Sequence, residues 1–225
     1  MLTPFLQHAL RENRVLFGMM HSFNFHPALH IHPTRFKQLP RPAYDLLCGS
    51  RRGEKKLSAW AVRQWNLPTD KTWDFADPRR RLVLLPPNQL GDLILYAGAA
   101  ICSKSISKTI DRATKTQFKN LLGERAYHFA VKRASLINRG MQEIASITEK
   151  EQAPEVQLHH AGVNCLVACL EDCPEELHHR LNLKCETDMP FETSRFNSET
   201  QDHAWSMIKR ILFTETAPEL KSCFN

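Results

Sequence analysis

At 225 residues, with 42% hydrophobic and 24% charged side chains, the chain has a globular composition and enough length for one substantial core or two small ones. No apolar run approaches the roughly 20 residues that span a bilayer, and Met1-Leu2-Thr3-Pro4-Phe5-Leu6-Gln7-His8 has no basic stretch followed by an apolar core, so neither a membrane span nor a secretory signal is expected. The formal charge of +6 divides unevenly: residues 1–139 hold 23 Lys plus Arg against 9 Asp plus Glu, and residues 140–225 hold 7 against 15.

Taken in order, Thr3-Pro4 is an N-cap and first-position pair for a short helix bearing Phe5, Leu6, Ala9 and Leu10. Met19-Met20 offers a second start, with residues 1–20 as an extension before a helical domain over 21–225. From Phe23 to Pro42 the chain turns rich in Pro and His, which forbids a long helix and predicts turns and an extended piece anchored by the Phe residues and Leu29. Arg51, Arg52, Lys55 and Lys56 read as a basic turn before a short helix from Leu57 to Trp65. Pro68 to Pro78 is a loop carrying Trp73 and Phe75.

The stretch from Leu82 to Ile137 is expected to organise the fold. After Pro86-Pro87, with Asn88 as N-cap, Leu90, Leu93, Ile94, Ala97 and Ile101 fall at helical spacing, in a segment apolar almost all round. Lys104, Lys108, Arg112, Lys115 and Lys119 then recur at i, i+4, i+8, i+11 and i+15. On a continuous helix they make one basic stripe opposite Ile106, Ile110 and Ala113. Gly123 and Gly140 punctuate a third segment that buries Ala126, Phe129, Ala130, the Arg133 stem or Leu136, and Ile137. Beyond it lie a polar connection over 147–152 and a helix opened by Pro154 that runs through Leu158, Cys165, Leu166 and Leu170. A short helix from Glu175 and a loop from Cys185 to Phe196 follow. A last helix is introduced by a capping box at Ser198-Glu199-Thr200-Gln201 and ended by Pro218. Period-two alternation is almost absent, so the expected fold is all-α: one compact helical domain, basic over 21–139 and acidic over 140–225, with an irregular Pro/His-rich N-terminal segment.

Chemistry-bearing patterns are few. There is no Gly-x-Ser-x-Gly, no phosphate-cradling Gly-rich motif and no paired carboxylates suited to acid–base work, so no catalytic or cofactor-binding residue is assigned and an enzyme is not expected. Cys165, Cys169 and Cys173, flanked by His159-His160 and His178-His179, sit four apart, a spacing that matches none of the usual zinc pairs. His26, His30 and His32 have no Cys or carboxylate close in sequence, so no metal site is expected. Seven Cys, an odd count, read as reduced thiols of a cytoplasmic protein. The candidate contact surface is the basic face Lys104, Lys108, Arg112, Lys115 and Lys119. Its readings are a solvated face, a docking surface for an acidic protein, and a nucleic-acid footprint, the last weakened by the lack of interleaved aromatics. For the basic portion as a whole, anionic lipid and attraction to the chain's own acidic portion are further readings.

Phe25-His26-Pro27-Ala28-Leu29-His30-Ile31-His32 resembles the beginning of the YscK/SctK family of type III secretion proteins. Leu84-Leu85-Pro86-Pro87-Asn88-Gln89-Leu90-Gly91-Asp92-Leu93-Ile94-Leu95 is similar to that family's Leu-Pro segment leading into a Leu-rich helix, and Ala99 to Ile106, Phe118 to Leu122, Tyr127 to Ile137 and His203 to Phe213 continue the same succession. The resemblance covers roughly residues 20–225. It implies a non-enzymatic adaptor of the cytosolic sorting platform of an injectisome, at the cytoplasmic face of the inner membrane. Implied partners are the cytoplasmic domain of an SctD-type ring protein and an SctQ-type pod protein, with an SctL-type stator and the ATPase reached indirectly.

Overall fold

Helix starts in this chain are set by short polar side chains and by prolines. The computed structural model describes residues 3–148, 153–186, 188–189 and 195–224. Thr3 accepts the Leu6 amide at 3.3 Å and Pro4 opens α1 (Pro4–Glu12), as its sequence predicts. Asn13 then accepts the Leu16 amide at 3.0 Å and opens α2 (Arg14–Phe25), a helix the Met-Met reading did not foresee. After α3 (Arg41–Cys48), Ser50 takes the Gly53 amide at 3.0 Å, so α4 (Arg51–Gln64) begins six residues before Leu57 and its basic residues lie in the first turns of a helix rather than in a turn before it. Such caps contribute about 1 kcal/mol each.

The central helix, α5 (Pro87–Ile101), starts two residues earlier than an Asn88 cap predicts. Proline loses nothing at a first helical position, where its missing N–H would have no intrahelical partner, and the Leu90 amide closes the turn on the Pro86 carbonyl at 3.0 Å. Next come α6 (Ser103–Lys108), α7 (Arg112–Lys132), α8 (Gln142–Thr148), α9 (Pro154–Leu170) and α10 (Glu175–Asn182), followed by α11 (Ser198–Ile211). The cap of α11 is Asn197, not Ser198: its side chain accepts the Thr200 amide at 2.8 Å and is itself held by Glu143 at 2.8 Å. Among the described residues there is no strand, and the all-α expectation holds. Of the connection predicted over 147–152, Ile147 and Thr148 belong to α8 and 149–152 lie outside the described residues. Most of the loop after Cys185, residue 187 and residues 190–194, lies outside them too.

The chain packs as two units. The first comprises Met1–Leu90, Cys173–Asp188 and Ser222–Asn225, the second Gly91–Asp172 and Met189–Lys221. In the first unit Phe23 and Phe75 meet edge to face at 5.7 Å, among fully buried Leu82, Leu84, Leu85 and Phe224. The segment before Met20, read as an extension, contributes buried Leu6, Ala9 and Leu16. A smaller core gathers Ala28, Ile31, Phe36, Leu57 and Ala61, with Tyr44, Trp60 and Trp65 at its edge. The Pro/His-rich segment enters that core as the expected turns, two of 3-10 type at Pro27–His30 and Pro33–Phe36. That geometry turns Ala28 and Ile31 inward and leaves the expected anchors Leu29 and Phe25 about half exposed.

Buried Arg81 joins three chain segments of the first unit. Its Nε donates to the Phe75 carbonyl at 2.8 Å, Nη1 to that of Cys223 at 2.9 Å and Nη2 to that of Ala76 at 2.9 Å, so the loop before Pro78 and the chain at Cys223 are held by one guanidinium. The second unit is built on a close crossing of α5 and α9. A Cβ on Gly98 would lie 2.0 Å from the Leu158 carbonyl oxygen, and one on Gly162 would lie 2.0 Å from that of Ile94. Only glycine at both positions lets the two backbones touch. Every residue of α9 from Ala161 to Leu170 is buried, including Cys165 and Cys169. Gly123 interrupts α7 with φ 70° and ψ 168°, so the chain bends where the sequence placed a stop. Of the third segment's predicted core residues, Ala126, Phe129 and Ala130 are buried, whereas Leu136 stands 65% exposed.

Candidate partner-binding surfaces

The basic stripe of the second unit is not one helix face. After Lys108 the chain leaves the helix: Thr109 and Ile110 are β-branched, the Thr109 hydroxyl donates back to the Ser105 carbonyl at 2.8 Å, and Asp111 adopts an extended conformation and caps α7 through the Thr114 amide at 2.7 Å. That amide bond holds the Asp111 carboxyl below the usual range. Lys104 and Lys108 therefore share a face of α6, while Arg112, Lys115 and Lys119 belong to α7. All five are exposed, as predicted, but the buried side opposite them is confined to Ile106 and later to Phe118 and Leu122. Ile110, expected against the core, is 95% exposed because it sits in the break.

Each end of the basic stretch borders a different depression. Lys104 lines a cleft of about 440 Å3 of mixed character with Ser105, Asn138, Arg139, Met141 and Ala145. Arg112 lines a shallow groove with Asp111, Thr116, Gln117 and Asn120. Asn138 is held in the cleft wall by its bonds to the Ala100 carbonyl at 2.9 Å and the Ser103 hydroxyl at 3.1 Å. Lys119 folds its ammonium over the Tyr127 ring at 5.3 Å.

The first unit carries a second candidate surface, which the sequence reading passed over as a basic turn. A groove of about 370 Å3 is lined by Ala28, Leu29, Ile31, Pro33, Tyr44 and Leu57, with Pro86 and Pro87 contributing. The Tyr44 ring packs on Phe36 at 5.0 Å, and the Arg41 guanidinium lies over that ring at 5.6 Å. Burial, aided by the Cys48 thiol, pushes the Tyr44 phenol up to about 12, so the groove wall stays uncharged.

Behind this surface the first unit buries cations that, among the described residues, have no buried carboxylate partner. Fully buried Lys184 donates to the Leu85 carbonyl at 2.7 Å and to His30 Nδ1 at 2.7 Å, and His30 Nε2–H is then left to donate to the Ser22 hydroxyl at 3.0 Å. Arg180 donates to the Phe23 carbonyl and stacks 3.5 Å above the Phe23 ring. Burial pushes the Lys184 ammonium well below its usual range and Arg180 to about 10, and the Lys184 shift is reinforced by Arg180's charge. Burial and then the Lys184 charge likewise push His30 well below 6.5. The uncharged imidazole thus fixes the tautomer that links three segments, a structural task closed to ligands.

Of the other candidates, the adjacent His159 and His160 rings stand 6.3 Å apart. His26 pairs with Glu54, and His32 Nδ1 meets the Thr34 hydroxyl at 2.7 Å. Among the described residues no group of three or more His, Cys, Asp or Glu is placed to hold a metal ion, and no helix is long and apolar enough to cross a membrane.

Compared with known proteins, residues 19–221 match the family model described as YOP proteins translocation protein K (YscK). No curated protein and no solved structure matches the chain. The match spans most of both units and carries the resemblance noted at Phe25–His32 and Leu84–Leu95 through to the last helix. The chain belongs to the YscK family, the SctK proteins of type III secretion.

Proposed function

We propose that this protein is a non-enzymatic adaptor of the cytosolic sorting platform of a type III secretion system, joining the cytoplasmic domain of an SctD-type inner-membrane ring protein to an SctQ-type pod protein. Through the pods it serves the SctL-type stator and the ATPase, it resides at the cytoplasmic face of the inner membrane, and export depends on it. One observation supports the two-partner reading most strongly: the chain packs as two units, each with its own exposed basic surface, the groove beside α3 and α4 in the first and the α6–α7 stretch in the second. Charge-led surfaces of this kind favour fast, exchangeable association over very tight binding. The nucleic-acid alternative rested on a single continuous basic helix face, and the break at Thr109–Asp111 divides that face in two.

Reversing Lys104, Lys108 and Arg112 to Glu tests the assignment. Co-precipitation with one of the two partners falls and the other is spared, with an unchanged circular dichroism spectrum. Equal loss of both partners, or retention of both, contradicts a separate contact on the second unit. Duplex binding that weakens steeply with salt restores the nucleic-acid reading.

A further inference from the structure

Residues 35–63 hold eight Lys plus Arg against only Asp45 and Glu54, a local net of +6 equal to that of the whole chain. Both carboxylates are engaged inside the unit, Asp45 by Arg41 at 3.1 Å and Glu54 by His26. Lys37, Arg41, Arg51, Arg52, Lys55 and Lys56 are exposed. This stretch contributes Tyr44, Cys48, Leu57 and the His26-paired Glu54 to the lining of the first unit's groove, which is otherwise mostly apolar: Leu29 is 48% exposed along it, and Leu46, on the neighbouring α3, is 77% exposed. Arg41 borders that lining, since its guanidinium covers the Tyr44 ring.

We infer that this groove receives a short acidic segment of a partner protein, which seats apolar side chains between Leu29 and Tyr44 while its carboxylates face Arg41, Arg51 and Lys55. The inference rests on the adaptor reading and narrows it to one surface and one chemistry. The volume of about 370 Å3 suits a few apolar side chains and lies within the roughly 300–1,000 Å3 typical of binding pockets. A phosphate backbone makes use of the basic rim but has nothing to place against the exposed Leu29 side chain and the Tyr44 ring. A lipid headgroup leaves the same apolar wall unmatched. Apolar anchors within a ring of charge are the pattern by which helix-in-groove and extended-peptide sites combine affinity with specificity.

The test places a photo-crosslinking benzoylphenylalanine at Leu29 of the full-length protein in secreting cells, with Leu136 of the second unit as the exposed control position. The expected crosslinked peptide is rich in Asp and Glu and carries interspersed apolar residues. Its synthetic copy binds the purified protein, and Leu29→Asp or Arg51→Glu with Lys55→Glu weakens that binding at least about tenfold with circular dichroism unchanged. A crosslink to a second copy of this chain, to nucleic acid or to lipid overturns the inference, as does equal labelling from Leu136. If these variants leave recovery of every secretion component unchanged, the groove is refuted and the adaptor reading stands. If the unaltered protein recovers none, it is the adaptor reading that fails.

Discussion

The crossing of α5 and α9 makes an opposite-sign prediction for two glycines of one helix. Gly91 and Gly98 both lie within α5, and replacing a helix-interior Gly by Ala gains about 0.8–1 kcal/mol in backbone entropy and propensity. Nothing lies within 4 Å of a Cβ built on Gly91, so Gly91→Ala collects that gain. At Gly98 the new Cβ meets the Leu158 carbonyl oxygen at 2.0 Å, against 3.4 Å for ordinary contact, so the helices must part locally by about 1.4 Å. Neither atom belongs to a flexible side chain that can swing away. Overpacking a tight interior costs typically about 1–3 kcal/mol and sometimes more, and separating α5 from α9, buried from Ala161 to Leu170, also loosens the buried side chains around the crossing. The penalty outweighs the helical gain, and Gly98→Ala is expected to destabilise by about 2–3 kcal/mol, a large share of the roughly 5–15 kcal/mol that holds a domain together. Guanidinium denaturation followed by circular dichroism reads both variants. Gly98→Ala as stable as the parent protein, or Gly91→Ala destabilised by a similar amount, refutes the close crossing.

Arg81→Met leaves the Phe75, Ala76 and Cys223 carbonyls without their charged donor and should cost about 3–5 kcal/mol in the same assay, with Arg81→Lys recovering part of it; a loss below 1 kcal/mol would count against the hub. Gly123 combines φ 70° with ψ 168° and has open space around it, so Gly123→Ala is expected to lose about 1–3 kcal/mol through backbone strain alone, and a stabilised Gly123→Ala would show that the bend is not there. His30 is pushed well below 6.5 by burial and Lys184, with Arg180 and His26 adding to the effect. Both states hold it neutral above about 6.5; as pH falls through that value the unfolded chain takes the proton first, so stability is lost on acidification until the folded group titrates. The melting temperature should therefore drop from pH 7.5 to pH 5.5, and drop less in His30→Gln; equal drops in the two proteins contradict a neutral buried imidazole.

Local signals were legible in the sequence because their causes are local. Thr3-Pro4, Pro154 and the apolar spacing of Leu93, Ile94 and Ala97 each announce a helix through a few adjacent residues, and the structure places all of them in helices. What escaped depends on pairs distant in sequence or on competition between neighbours. The break at Thr109–Asp111 is a contest in which a capping Asp and two β-branched residues prevail over a Lys spacing that continues unperturbed through them. Gly98 and Gly162 have no visible meaning until their backbones face each other. Arg81, Arg180 and Lys184 are buried cations, and composition assigns such residues to the surface. The groove of the first unit needs Leu29, Tyr44 and Pro86 brought together, which no window of the sequence displays.

The most direct test of the adaptor account is gentle purification of the native protein from secreting cells at low salt, with mass spectrometry of what accompanies it. The account predicts recovery of the SctQ-type pod protein, the SctL-type stator and the SctD-type ring protein. Recovery of nucleic acid alone, or of the protein without any secretion component, would contradict it.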